Sequence, residues 1–216
     1  MVNDRHERLI QDLGAVLTPV RRLAPPGVRA LAWLAVVSTI AVALAVMTDV
    51  GATAQRLAAA PDMWLSTGGS ALTAMLAVVA AFHLDLPDRS RAWALLPLPA
   101  AILWICASGI GCFRSWFIPE TPAATLMETE TCLIFILGLS APLSGLLIVM
   151  LKRGYALQPG LTAAIGGLAC ASAAATLLTF VHPYDVSVTD LAVHTFSVLV
   201  VILVMRTIGG RVLTAK

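Results

Sequence analysis

Charge is scarce in this chain. Asp, Glu, Lys and Arg make up 12% of its 216 residues, against roughly 25% in an ordinary soluble domain. So few polar side chains cannot cover a globule in water, which excludes a soluble enzyme. Disorder is excluded by the same composition, because disordered chains are poor in apolar residues and 59% of this one is hydrophobic. The formal net charge of +2 is too small to hold a polyanion, so no direct contact with nucleic acid is expected. Strand alternation of the membrane-barrel kind is missing as well. No cleavable leader is expected either, because the first 26 residues are polar and no short apolar region precedes a small-residue cleavage site. The first apolar segment is therefore expected to be retained.

What the chain does have is long uncharged runs, with a mean hydropathy of +0.89. A helix crossing the hydrocarbon core needs about 20 mostly apolar residues. Uncharged stretches occupy 30–48, 63–84, 92–113, 131–151, 154–184 and 191–205. The last is only 15 residues long, and it spans if Asp190 sits at one interface while Arg206 snorkels to the other. The expected fold is an all-α integral membrane protein, a bundle of six transmembrane helices near 27–48, 64–84, 92–112, 131–151, 160–181 and 188–208. These form one membrane domain, 27–216, behind a cytoplasmic arm, 1–26. With the N-terminus inside, 12 of the 14 Lys and Arg residues fall in inner segments, and only Arg56 and Arg114 fall outside. The positive-inside rule therefore places both ends in the cytoplasm. The outer segments carry acids instead, among them Asp49, Asp62, Glu120, Glu128, Glu130, Asp185 and Asp190.

Ionisable residues are almost absent from the span centres, which counts against ion-coupled transport but leaves a small-solute carrier open. Ser140 in the fourth span and His194 in the sixth match the helices that supply the dyad of rhomboid-like intramembrane serine proteases. No oxyanion-hole histidine is present in the second span, and a membrane serine usually bonds its own helix. No catalytic residue is assigned. In the fifth span Ala163, Gly167, Ala171 and Ala175 recur at i+4 steps, a small-residue stripe suited to close packing within the bundle or in a homodimer.

The four cysteines divide by depth. Cys106 and Cys170 lie mid-span and pack as small apolar groups. Cys112 and Cys132 lie at the outer ends of the third and fourth spans, which a short connection makes expected neighbours. They are open to three readings: a structural disulfide, two unpaired thiols, or a sensing pair in an oxidising compartment. His182 and His194 share that layer, so Cys112, Cys132, His182 and His194 could hold a soft metal ion. No other cofactor is expected.

The arm has a pattern of its own. Leu9, Leu13, Val16, Leu17 and Val20 fall on one helical face, with Asp12 among the polar positions beside it. Pro19 ends or kinks that helix, and Pro25-Pro26 separates it from the first span. Such a face lies either on membrane lipid or in the groove of a soluble partner.

Asp12-Leu13, then Pro19-Val20-Arg21-Arg22-Leu23 with Pro25-Pro26, resembles the N-terminal signature of the NrsF family, six-span anti-sigma factors of the proteobacterial inner membrane. Further matches are Gly111-Cys112 with Trp116, Cys132, Lys152-Arg153-Gly154, and His182-Pro183 with Asp185 and His194. The resemblance implies a non-enzymatic, multi-pass protein of the bacterial inner membrane. It would sequester an extracytoplasmic-function sigma factor through the arm, by Leu9, Asp12, Leu13, Val16, Leu17 and Val20. It would release that factor on oxidant or heavy-metal stress sensed by outer cysteines. Some members carry a second cysteine just after the histidine near the fifth span's end, where this chain has Pro183. The departure leaves Cys132 as the family-type thiol, with Cys112 as its expected partner.

Overall fold

The structure is a computed structural model that describes residues 2–15, 22–59, 61–117, 126–181 and 188–215. Among these residues every regular element is helical. The amphipathic helix α1 covers Val2–Ala15, and α2 covers Pro26–Met47. Pro26 opens α2 from its first turn, where a missing N–H costs nothing and the fixed φ favours the helix. Then come α3 (Val50–Ala59), α4 (Pro61–Leu84), a 3₁₀ turn (Arg91–Leu95), α5 (Leu98–Phe117), α6 (Leu126–Leu151) and α7 (Pro159–Leu178). The last helix is α8 (Val188–Val204), which continues through a π turn (Met205–Gly209) into α9 (Gly210–Thr214).

Six of these segments are long and apolar enough to cross a membrane: 26–47, 62–84, 91–113, 130–151, 159–178 and 191–214. The expected six-helix architecture is borne out, with two further features. The connection after the first span contains a helix of its own, α3. Asp49 starts it, accepting the Ala52 N–H on Oδ1 at 3.0 Å, which satisfies a donor that the first helical turn leaves orphaned. The last span is longer than its uncharged run. Arg206 lies on the exposed face, so the helix runs on past it to Thr214.

Successive spans alternate in direction. The start of α2, the end of α4, the start of α5, the end of α6 and the start of α7 share one end of the bundle, together with α9. This is the arm-side end; the opposite one is the far end. Helix α7 is the hub and packs against α4, α6 and α8. Its length is largely small residues, and Ala163, Gly166, Gly167, Ala169, Cys170, Ala171, Ala173 and Ala174 are all buried. Lipid supplies no hydrophobic drive between helices, so association depends on close contact, which small residues permit. A Cβ added at Gly167 would stand 2.9 Å from Met205 Cβ and 3.1 Å from Ile202 Cα on the last span. At Gly69 of α4 it would stand 2.9 Å from the Trp104 Cα of α5. The small-residue stripe, equally suited to bundle or dimer by its spacing, therefore serves the bundle at Gly167. By contrast α2 has only three fully buried residues, Arg29, Ala30 and Trp33, all in its first turns. Trp33 donates its indole N–H to the Leu143 carbonyl of α6 at 3.4 Å.

Filling the α7 crossing should be costly. Gly167→Leu is expected to lower stability by ~1–3 kcal/mol through overpacking, read as a lower melting temperature in detergent. Gly109→Leu, where an added Cβ meets nothing within 4 Å, should leave the melting temperature unchanged.

Candidate functional sites at the two ends of the bundle

The arm helix α1 leaves its apolar face bare. Every side chain from Arg5 to Ala15 is exposed, with Leu9 at 56%, Ile10 at 68% and Leu13 at 62%. Asp12 is exposed beside them. Ile10 widens the stripe that periodicity assigns to Leu9 and Leu13; it sits three residues before Leu13, hence on the same face. Val16, Leu17 and Val20 lie outside the described residues. No part of the described face is buried against the membrane helices.

The arm-side end holds a buried ion pair that sequence reasoning missed. Arg29 Nη1 lies 2.9 Å from Asp85 Oδ2, with both side chains almost wholly buried. The other guanidinium nitrogen, Nη2, donates to the Met150 carbonyl of α6. The guanidinium carbon stands 4.5 Å above the centre of the Phe82 ring, a cation–π arrangement. Asp85 receives support from the α6–α7 connection, where Tyr155 N–H donates to its carbonyl at 3.1 Å. Gly154 passes so close that an added Cβ would collide with the Asp85 carboxylate. Only a residue without a side chain fits there, which gives a physical reason for the glycine of Lys152-Arg153-Gly154. Thr162 of α7 also donates to the Leu84 carbonyl at 3.3 Å. Nearby, His83 stacks on Trp93 with ring centres 3.8 Å apart and planes within 2°. A sequence signal exists: Arg29 and Asp85 sit just inside the first span and at the end of the second. Hydropathy alone treats both as span boundaries.

The far end holds the thiol and imidazole candidates. Cys132 is completely buried, packed among Ile136, Ala174 and Leu178. Its sulfur lies 3.6 Å from Nε2 and 3.7 Å from Nδ1 of His194. Near-equal reach to both nitrogens puts the sulfur off the lone-pair axis of either, so this is a packed polar contact. Cys112 is half-buried, and no disulfide joins any of the four cysteines. The expectation that the third and fourth spans are neighbours is not met. Helix α5 packs on α4 and touches α8, whereas α6 packs on α7 and α8. A short connection does not force adjacency when α4 offers α5 a closer glycine-lined surface. His182 lies outside the described residues, and among those described no three His, Cys, Asp or Glu side chains gather as a metal site. Ser140 is buried on α6, eight residues from Cys132 and therefore roughly 12 Å along the helix. His194 meets Cys132 rather than Ser140, so the serine–histidine dyad is not assembled.

A six-span helical membrane protein with an uncovered amphipathic arm at one end is the class that these features define. The chain belongs to the NrsF family, described as negative regulator of sigma F, whose family model matches residues 13–214. The match runs from the middle of the arm through the last span, as the resemblance in the sequence leads one to expect. No curated protein and no solved structure matches the chain.

Removing one member of the ion pair strands the other. Asp85→Ala should therefore destabilise the bundle by ~3–5 kcal/mol. The double variant Arg29→Met/Asp85→Leu should recover most of that loss, because an apolar pair of similar volume carries no desolvation cost. Thermal unfolding of the three proteins in one detergent checks this; equal losses in the single and double variants would remove the pair from its central place.

Proposed function

We propose that this chain is a non-enzymatic anti-sigma factor of the bacterial inner membrane, which holds an extracytoplasmic-function sigma factor on its cytoplasmic arm. One observation carries the reading: family membership as a negative regulator of a sigma factor coincides with an arm whose apolar face is uncovered at Leu9, Ile10 and Leu13. An amphipathic helix exposed in this way is the ligand half of a helix-in-groove interface. Leu9 and Leu13 fill the groove, Val16, Leu17 and Val20 extend the contact, and Asp12 pairs with a basic residue of the sigma factor.

Burial of one leucine is worth roughly 1.5–3 kcal/mol. Leu13→Asp should thus weaken sigma-factor binding by at least about tenfold and switch on the regulon. Full repression by this variant, at normal membrane levels, would show that the arm is not the docking element.

The same reading requires the arm to face the cytoplasm. The basic residues concentrated in the arm, the 85–91 and 152–158 connections and the C-terminus support that orientation. Alkaline phosphatase fused after Arg89 or Arg153 should be inactive, and fused after Asp49 it should be active. Activity at the first two sites would invert the topology and end the proposal.

Release follows, on this proposal, from oxidant or soft-metal chemistry at the far end. Cys132 is the responding thiol, His194 its partner, Cys112 stands at the same end of the bundle, and His182, outside the described residues, is a further candidate ligand. Helix α6 supplies the route, because it carries Cys132 near one end and the Met150 carbonyl that holds Arg29 at the other. A shift of this helix reaches the root of the arm without any change in the helices between. Cys132→Ser should repress normally but lose its response to oxidant or cadmium, measured with a regulon reporter, whereas Cys112→Ser should respond more weakly than the parent. A parental response from Cys132→Ser would rule out the thiol switch.

A further inference from the structure

A cavity of about 290 Å³ lies between α4, α5, α7 and α8 in the far half of the bundle. Its wall is apolar with a few hydroxyl groups set into it. Toward the far end Ser66, Ser108 and His194 stand beside Met63, Leu178 and Leu191; deeper along the same helices stand Ala101, Leu168 and Ile202, with Ser70 between the two levels. Among the described residues no Lys, Arg, Asp or Glu lines it. Ser66 and Ser108 share one hydrogen bond, with Oγ to Oγ at 2.8 Å. That bond uses one of their two hydroxyl protons and leaves the other to donate elsewhere. Two further lining residues, Ile105 of α5 and Leu199 of α8, are 65% and 52% exposed on the outside of the bundle. In a membrane that outside is hydrocarbon, so the cavity opens sideways between α5 and α8 into lipid.

We infer that this cavity is a binding site for an uncharged, lipid-soluble ring compound of the quinone class, its carbonyls toward Ser66, Ser108 and His194 and its apolar tail toward Ile202. Each feature selects against another occupant. Without a charged side chain the wall has nothing to neutralise an anionic lipid headgroup. The volume stands at the lower end of ligand pockets, about 300 Å³, enough to enclose one substituted ring, whereas most of a two-chain glycerolipid would stay outside in the hydrocarbon. The hydroxyl donors favour a carbonyl acceptor, and a bare acyl chain offers none. The inference does not rest on the regulatory role, because binding is measured with no sigma factor present.

The test uses the full chain in phosphatidylcholine nanodiscs, titrated with decylubiquinone, with protein-free nanodiscs as the partition blank. Tryptophan quenching above the blank should saturate. Ser108→Ala should weaken binding about tenfold, the effect of losing one hydrogen bond in an apolar site. Ala175→Leu, which fills the cavity, should abolish saturation, and dioleoylglycerol at equal concentration should not displace the quinone. Uptake no greater than the blank would overturn the inference. So would parental affinity in Ser108→Ala, or displacement by dioleoylglycerol, which would make the cavity an ordinary lipid site. Ser108→Ala removes a single oxygen, so it keeps the test sharp should Ala175→Leu fail to fold.

Discussion

The ion pair between Arg29 and Asp85 holds together the end of the bundle from which the arm leaves. A lone arginine at the centre of a membrane helix costs about 2.5–3.5 kcal/mol even by the most permissive scales, and one near a helix end is also costly when the protein buries it away from water. Here that cost is offset by a carboxylate at 2.9 Å, a backbone carbonyl from α6 and an aromatic face. Three groups, two from the end of α4 and one from α6, meet at one guanidinium on α2. Since α2 is fully buried only at Arg29, Ala30 and Trp33, this cluster and the Trp33 hydrogen bond anchor the start of the first helix, and Leu34, Val37 and Ile40 pack on the core beyond it. The remainder of α2 faces outward over most of its surface. The arm leads directly into Pro26, three residues before Arg29, so the position of the arm's root is set by the same contacts.

The ion pair in turn depends on a glycine. Gly154 brings the backbone of the α6–α7 connection against the Asp85 carboxylate, and Tyr155 then donates to the Asp85 carbonyl. Any side chain at 154 would push the connection away and open the pair to water, where it would be worth far less to fold but cost far less to break. The cluster therefore links α2, α4, α6 and the start of α7 as a single unit. Lys152 and Arg153, by contrast, are exposed and serve as interfacial charge.

Much of this architecture is legible in the sequence, because crossing a membrane imposes length and apolarity on each helix and basic charge on one set of loops. The six spans and the amphipathic arm follow from those rules alone. What the rules do not encode is lateral arrangement. Chain connectivity suggests that the third and fourth spans are neighbours, but the pairing is decided by where backbones can approach, and Gly69 gives α5 its place on α4. The contact of Cys132 with His194 is equally beyond connectivity, since it depends on α8 packing on α6. Arg29 and Asp85 are visible as charges at span ends. Their pairing across 56 residues of chain cannot be read, because nothing in local spacing reports it.

The cavity is a consequence of that same lateral arrangement. Gly69 lets the backbone of α5 sit directly on α4 at Trp104, and Gly167 lets α8 sit directly on α7. Each peripheral helix is thus drawn tightly onto a different central helix. Two helices pulled inward onto separate neighbours meet each other only weakly, and α5 and α8 do touch over a short stretch. The space left between them is bounded by whatever side chains the four helices present, and on the far side those include several hydroxyls and His194. In a bundle packed by small residues, close crossings and a lateral opening are therefore two results of one constraint: helices whose backbones meet along one line must stand apart along the next.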